Sequence, residues 1–198
     1  INFISNVDTK KAGSYNVIYS VTDSSGNLAT VQRSVDVIDT TAPVIKLLGN
    51  DIVIHEAGRL YQDPGATAQD TVDGILTGDI KKLEEFNTSK PGSYIIDYAI
   101  SDSAGNSSGV SRVVNVIDTI KPVLKLKGEP TIKHEAGSVY NDAGASATDL
   151  ADGDLSRSIE VESTLDIDQP GDYLITYNVV DGAGNKAKEL IRNITVVD

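Results

Sequence analysis

Apolar and polar residues alternate along SYIIDYAIS, Ser93–Ser101: Tyr94, Ile96, Tyr98 and Ile100 fall on one face, and Ile95, Asp97, Ala99 and Ser101 on the other. A period of two marks a β-strand with one face against a core. The alternation recurs at Tyr173, Ile175, Tyr177 and Val179, in SSGVSRVVNVI (Ser107–Ile117) with Val114 and Val116 on one face, and at Ile194 and Val196. Shorter β-prone runs are PVIKLL (Pro43–Leu48), DIVIH (Asp51–His55) and GATAQ (Gly65–Gln69), followed by the more polar DIKKLEEFN (Asp79–Asn87). No window carries a helical period. Many short strands parted by Gly, Asn and Asp turn signals predict an all-β chain of sandwiches, each made of two antiparallel sheets.

The pattern is written two and a half times, 79 residues apart. HEAGRLYQDPGATAQDTVDG begins at His55 and HEAGSVYNDAGASATDLADG at His134. PGSYIIDYAISDSAGN begins at Pro91, PGDYLITYNVVDGAGN at Pro170, and an earlier AGSYNVIYSVTDSSGN at Ala12. The register holds to Asn185, after which one residue is inserted before the last strand. The divisions fall at 1–39, an incomplete copy, 40–118 and 119–198. A copy of about 80 residues buries only roughly 60–65% of its unfolded surface, so neighbours or a metal are expected to add stability. The chain opens inside a copy, and the expectation is a fragment whose first sandwich is completed by a preceding segment or by another chain.

A tandem repeat serves best as a linear array, which needs each copy to be entered at one end and left at the other, hence an odd number of strand passes. Five result if Gly49-Asn50 is a kink in a single edge strand. The loops Asp70–Gly74 and Asp102–Asn106 then lie at the leading end of the copy and His55–Gly58 at the trailing end. If Gly49-Asn50 is a hairpin, the ends exchange. Tyr15, Tyr94 and Tyr173 each follow a Gly turn at the start of a strand, the place of a corner tyrosine in an immunoglobulin-like sandwich. His55 and His134 read as strand-end residues, because HEAG lacks the second histidine of a zinc-binding HExxH.

Composition narrows the function. Without cysteine there is neither a disulfide nor a thiol nucleophile, which suits a bacterial surface. A net charge of −12 provides no positive footprint for nucleic acid but attracts cations. No apolar run reaches the ~18 residues of a membrane span. No nucleophile with a base is identifiable, so the chain reads as a non-enzyme.

Acidic residues recur at matching places: Asp39 and Asp118 in IDTTAP and IDTIKP, Asp70 and Asp73 in DTVDG, Asp149 and Asp152 in DLADG, Asp102 and Asp181 in DSAGN and DGAGN, and Glu56 and Glu135 after the histidines. With five passes, Glu56, Asp118, Asp149, Asp152 and Asp181 meet at one seam between copies. Asp36, Asp39, Asp70, Asp73 and Asp102 meet at the other. Ca²⁺ takes six to eight oxygen ligands and such seams could supply them. The alternative is that these residues are turns, since Asx side chains cap backbone N–H groups without any metal.

The blocks G-x-Y, D-x-x-G-N, V-I-D-T-x-x-P and E-A-G-x-x-Y-x-D-x-G-A cover nearly the whole chain and resemble bacterial immunoglobulin-like surface repeats related to hyalin repeats. The junction is similar to the cadherin linker, in which a strand-end Glu, a linker Asp and leading-end Asp residues clamp Ca²⁺ between domains. That resemblance transfers to Glu56, Asp118, Asp149 and Asp181, and departs at Thr119 and Ile120, where cadherins carry a further acidic residue. It implies an extracellular stalk, spacer or adhesion rod, secreted or on a bacterial cell surface, partnered by neighbouring repeats and by a host-surface protein or glycan. The competing reading is a carbohydrate-binding accessory module of a secreted glycan-degrading enzyme, for which Tyr61 and Tyr140 are the aromatic candidates.

Overall fold

In a computed structural model of the chain, residues 1–83 and 87–198 are described. Every described element longer than a single 3₁₀ turn is a β-strand. The first copy supplies β1 (Asn2–Ser5), β2 (Gly13–Thr22) and β3 (Leu28–Val37), which form one sheet in that order. The second supplies β4 (Val44–Leu47), β5 (Ile52–Glu56), β6 (Ala66–Asp70), β7 (Gly74–Ile75), β8 (Lys81–Lys82), β9 (Gly92–Ser101) and β10 (Ser107–Ile117). These form the sheets β4-β6-β7 and β5-β10-β9-β8. Only Lys81–Lys82 of the polar run at 79–87 is assigned to a strand, and its part at 84–86 lies outside the described residues.

The third copy repeats the plan with β11 (Val123–Leu126), β12 (Thr131–Glu135), β13 (Ala145–Asp149), β14 (Gly153–Asp154), β15 (Glu160–Ser163), β16 (Gly171–Asn178) and β17 (Leu190–Val197). Its sheets are β11-β13-β14 and β12-β17-β16-β15. The chain packs as two compact units whose dividing line passes through the second copy: β4, β6 and β7 go with the first copy, β5 goes with the third, and β9 and β10 cross the line.

The first pass of each full copy changes sheet. In the third copy β11 is an antiparallel edge strand on β13, whereas β12 runs parallel to β17, with Thr131 opposite Asn193 and Glu135 opposite Val197. β5 lies parallel to β10 in the same way. The glycine-bearing break, Gly49-Asn50 or Gly128-Glu129-Pro130, is therefore neither a hairpin nor a kink in one strand. Gly49 and Gly128 take φ of 76° and 79°, a left-handed conformation that glycine alone adopts freely. The break moves the chain from one sheet to the other while its direction is kept. β13 then returns, β14 and β15 descend, β16 returns and β17 descends, giving five passes. Acidic loops 149–153 and 181–185 accordingly share the leading end of the third copy, and His134–Gly137 lies at its trailing end.

The two sheets of the third copy enclose Leu124, Ala147, Ile175, Tyr177, Ile194 and Val196. At the middle of this core sits a charge. Arg192 is 1% exposed and Arg112 of the second copy is wholly buried. Arg192 pairs with Asp142 and donates to the carbonyls of Lys127, Gly144 (3.4 Å) and Glu129 (3.1 Å), while Tyr177 donates to Asp142 at 2.6 Å. Arg112 pairs with Asp63 and donates to the carbonyls of Leu48 (2.5 Å) and Gly65 (3.2 Å), and Tyr98 donates to Asp63. A buried guanidinium costs several kcal/mol unless it is paired and its remaining donors are used; Arg192 engages all three nitrogens, whereas the Nε of Arg112 is buried without a hydrogen bond. These donors fasten the sheet-changing break and the start of the next strand to the opposite sheet.

The corner tyrosines fold as expected: Tyr15, Tyr94 and Tyr173 donate to the carbonyls of Lys11 (2.8 Å), Lys90 (2.9 Å) and Gln169 (3.0 Å). The extra residue after Asn185 ends the ladder early. β16 stops at Asn178 where β9 reaches Ser101, and only an isolated Val180–Lys186 bridge remains beyond it, the local cost of one added residue in an antiparallel pair.

Candidate functional site

Each D-x-x-G-N loop closes on its own aspartate. Asp23 accepts from the Ser25 and Asn27 N–H groups, both at 2.9 Å, and from the Asn27 amide at 2.8 Å. These bonds, led by the Asn27 side chain, hold its carboxyl below the usual value. Asp102 and Asp181 make the same bonds to Asn106 and Asn185. Here the loop does one thing more. The Asn106 amide also donates to the Asp39 carbonyl at 3.3 Å, and the Asn185 amide to the Asp118 carbonyl at 3.2 Å. The turn thereby grips the junction that precedes its own copy.

The D-x-x-D-G loops are built alike. Asp70 accepts from the N–H groups of Val72 (2.7 Å) and Asp73 (3.0 Å), and Asp149 from Ala151 (2.7 Å) and Asp152 (3.1 Å). These bonds, Asp73's foremost, lower the pKa of Asp70. The second aspartate crosses to the neighbouring loop: Asp73 accepts from the N–H and hydroxyl of Ser103, both at 2.8 Å, and Asp152 from the Gly182 N–H at 2.7 Å. Glycine at 182 leaves Asp152 without the hydroxyl donor that Asp73 enjoys.

Two clusters result. Carboxylate oxygens of Asp39, Asp73 and Asp102 lie within 4.8 Å of one another in the first compact unit, as do those of Asp118, Asp152 and Asp181 in the second. Glu56, Asp70 and Asp149 lie outside these groups among the described residues. Glu56 is engaged by Thr119, which donates its N–H at 2.7 Å and its hydroxyl at 2.8 Å. Those bonds draw the Glu56 pKa down, the backbone one most. A threonine thus stands where the cadherin pattern has an acid, and it satisfies the strand-end glutamate by hydrogen bonding. Asp36 points elsewhere, accepting from the Ser14 hydroxyl at 2.6 Å.

Charge at the second cluster is unbalanced. Burial pushes the Asp118 carboxyl up, and the carboxylates of Asp149, Asp181 and Asp152 push it further. Among the described residues, the only ion pairs of lysine or arginine are with Asp63 and Asp142, away from the cluster. One oxygen of Asp149 and one of Asp39 are buried without a hydrogen bond. Converging carboxylates, orphaned buried oxygens and no cationic side chain make a donor set that fits a hard, oxygen-seeking cation such as Ca²⁺. The trailing turn of the second copy closes over the same place. A Cβ on Gly58 would stand 2.5 Å from the carbonyl oxygen of Leu150, in the loop between Asp149 and Asp152.

The histidines do not join either cluster. His55 meets the Arg59 carbonyl at 2.9 Å and His134 that of Ser138 at 3.1 Å, each closing its own turn. Tyr61 and Tyr140 are half-buried and stand edge-on to these histidines, with ring centroids 5.2 Å apart. Neither ring is an open platform of the kind that stacks on a sugar.

A family described as "Bacterial surface protein, Ig-like domain" matches residues 1–37, 45–116 and 124–196. Among curated proteins the chain is 29% identical to the pesticidal crystal protein Cry22Aa of Bacillus thuringiensis over 98% of its own length and 27% of that protein's. It is 26% identical to an outer cell wall protein of Brevibacillus brevis over 84% of its own length and 18% of that protein's. The chain thus spans about a quarter or less of these relatives. Similar solved structures include a catalytic domain with two CBM51 domains of Clostridium perfringens ZmpB, at 14% identity, TM-score 0.43, and coverage of 97% of this chain and 34% of that one. A segment of mouse cadherin-23 matches at 14% identity, TM-score 0.36, with coverage of 97% and 77%.

Proposed function

The chain belongs to the family of bacterial surface protein Ig-like domains, and from that premise we propose that it is a non-catalytic extracellular module that spaces or presents another part of a longer surface protein, with Ca²⁺ held at each acidic cluster. The observation that carries the reading is the gathering of Asp118, Asp152 and Asp181, from a junction and two loops, around one point. Asp39, Asp73 and Asp102 form the other set, in which one Asp39 oxygen is buried without a hydrogen bond. Bound there, the ion supplies positive charge that offsets carboxylate repulsion and ties a junction to the loops of the copy that follows.

The chain's own residues prepare this. Asn106 and Asn185 hold the junction carbonyls, Thr119 fixes Glu56 at the trailing end, and Gly58 lets that turn approach Leu150. The clustered carboxylates are held by turn N–H groups and lie at junctions, which supports a joint more than a catalytic cleft. Extracellular Ca²⁺ modules bind on the order of 10⁻⁴–10⁻³ M, matched to the ion's level outside cells. Small-angle scattering and thermal melting in millimolar Ca²⁺ and in chelator test the joint. Ca²⁺ is expected to raise the melting temperature and sharpen the distance distribution; identical curves in both would refute the metal-stiffened joint.

A further inference from the structure

The second copy has both of its sheets, yet one edge of it is left unguarded. β5 (Ile52–Glu56) ends its sheet and runs parallel to β10, with Val113 opposite Ile52 and Asn115 opposite Ile54. Just past it, the Ala57 N–H donates to the Ile117 carbonyl at 2.7 Å. A strand in a parallel pair bonds its neighbour through alternate residues, so Val53 and His55 complete the ladder with Ala57. Pro130 and Ala136 of the third copy, which share that parity, bond β17 in the same way. The N–H and C=O groups of Ile52 and Ile54 therefore face away from β10. Among the described residues no backbone bond outside the ladder reaches them. Their side chains are uncovered too, Ile52 at 59% and Ile54 at 71% exposure, and Ile117 beside them is 40% exposed.

The third copy treats the same edge differently. Asp51, Ile52 and Ile54 are replaced there by Pro130, Thr131 and Lys133. A proline at the start of an edge and a lysine in its middle are means by which sheets block unwanted pairing. Core packing does not account for the change, because the outward positions Ile52, Ile54, Thr131 and Lys133 are all exposed.

The unguarded strand is also self-complementary. An antiparallel partner has to offer its own outward groups to Ile52 and Ile54. About a two-fold axis through Val53 a second chain does so: Ile52 faces the partner's Ile54, Ile54 faces the partner's Ile52, and each of these pairs exchanges both N–H···O bonds. Val53 then meets its own counterpart, Asp51 meets an imidazole at His55, and Glu56 falls opposite the neutral Asn50. Sliding the strands by two residues would set the Glu56 carboxylate against Ile52.

We propose that β5 is a self-recognition edge, at which two chains join antiparallel through Ile52–Ile54 so that the two β5-β10-β9-β8 sheets become continuous. The contact is small and belongs with transient interfaces below about 1,200 Å². It strengthens where many chains stand close together, as a tethered contact does. No residue of either acidic cluster takes part, so pairing should be the same in Ca²⁺ and in chelator.

Sedimentation velocity of the intact chain over a concentration series tests this. A monomer–dimer equilibrium is expected, and Ile54→Lys should weaken it by roughly tenfold or more. The chain has no cysteine, so a single introduced one reports the register. Val53→Cys should cross-link to its counterpart on mild oxidation, because facing residues of a non-hydrogen-bonded antiparallel pair stand about 4.5 Å apart at Cα. Ile52→Cys, which faces Ile54, should cross-link far more slowly. Ile52 and Ile54 are exposed, so their variants should keep the parent's circular dichroism. A chain that stays monomeric at every concentration, a dimer indifferent to Ile54→Lys, or equal cross-linking of the two cysteine variants overturns the proposal. So does a monomer that instead binds an added peptide of alternating valine and threonine at this edge, which would make a foreign strand the occupant.

Discussion

Arg192 shows how much one side chain carries in this chain. Its pair with Asp142 and its bonds to three backbone carbonyls leave it no substitute once it is buried. Arg192→Leu strands Asp142 and those carbonyls, and urea titration should show a loss of about 3–5 kcal/mol. Arg33→Leu, at the same register but exposed, should stay within about 0.5 kcal/mol. This lock was legible only in part. A charge inside SSGVSRVVNVI reads as a solvent-facing residue, yet Arg112 has the parity of Val114 and Val116, and an arginine recurs at its place in every copy. Parity was the available signal; what hid it is that charges are so seldom buried. Two carboxyls set opposite pH responses. Ionised Asp118 is disfavoured by burial and like charges, so its folded pKa is raised and stability grows as pH falls through it toward the unfolded value near 3.8. Glu56 is lowered by Thr119, so its contribution is present above about 4.5 and is lost as pH falls through its folded pKa. In chelator at pH 7, Asp118→Asn should melt above the parent and Glu56→Gln below it, and both differences should vanish in acid. A variant order that is reversed, or that does not change with pH, would contradict these assignments.

Among the elements, the sheet-changing first strand decides most. Alternation and turn residues were enough to place β9, β10, β16 and β17 and to set the corner tyrosines. An odd number of passes, with Gly49-Asn50 taken as a kink, put the acidic loops at the leading end; with a hairpin there the ends would exchange. What the pattern at Gly49-Asn50 could not tell is that β4 and β5 belong to different sheets. Two four- or five-residue β-runs split by a glycine look the same whether they share a sheet or not, and the deciding contacts, to β6 and β10, are far away in sequence. Glycine at the trailing turn gives this level its own test. Gly58 and Gly137 share the E-A-G motif and have φ of 74° and 71°, but only Gly58 faces a neighbour, with Leu150 in the way of any Cβ. Gly137→Ala should cost the usual 1–2 kcal/mol or so of left-handed strain. Gly58→Ala should cost clearly more, because the carbonyl of Leu150 must also move. Equal losses in paired denaturation curves would show that the close approach to Leu150 carries no energy.

At the scale of the molecule, repetition places the same chemistry twice, once in each compact unit, at a junction rather than inside a copy. Of the ten acidic residues that spacing put at the two seams, six converge: Asp39, Asp73 and Asp102, then Asp118, Asp152 and Asp181, while Asp36 turns to Ser14. Asp70 and Asp149 cap their own loops, and Glu56 is held by Thr119. Turn and cluster are compatible readings, since a carboxylate oxygen that accepts a turn bond keeps a second lone pair: Asp102 and Asp181 accept through both oxygens within their loops and still stand in the clusters. Spacing could not divide the roles, because which oxygen is left over depends on donors such as Ser103 and Gly182 that come from another loop. The two clusters differ through this pair, and the second, lacking the serine hydroxyl, should bind a cation more tightly. Titration calorimetry of CaCl₂ into the intact chain, beside Asp118→Asn and Asp39→Asn, tests the central claim most directly. The account predicts two sites on the order of 10⁻⁴–10⁻³ M, the tighter abolished by Asp118→Asn and the weaker by Asp39→Asn. No binding heat, or heat that survives both substitutions, would contradict it.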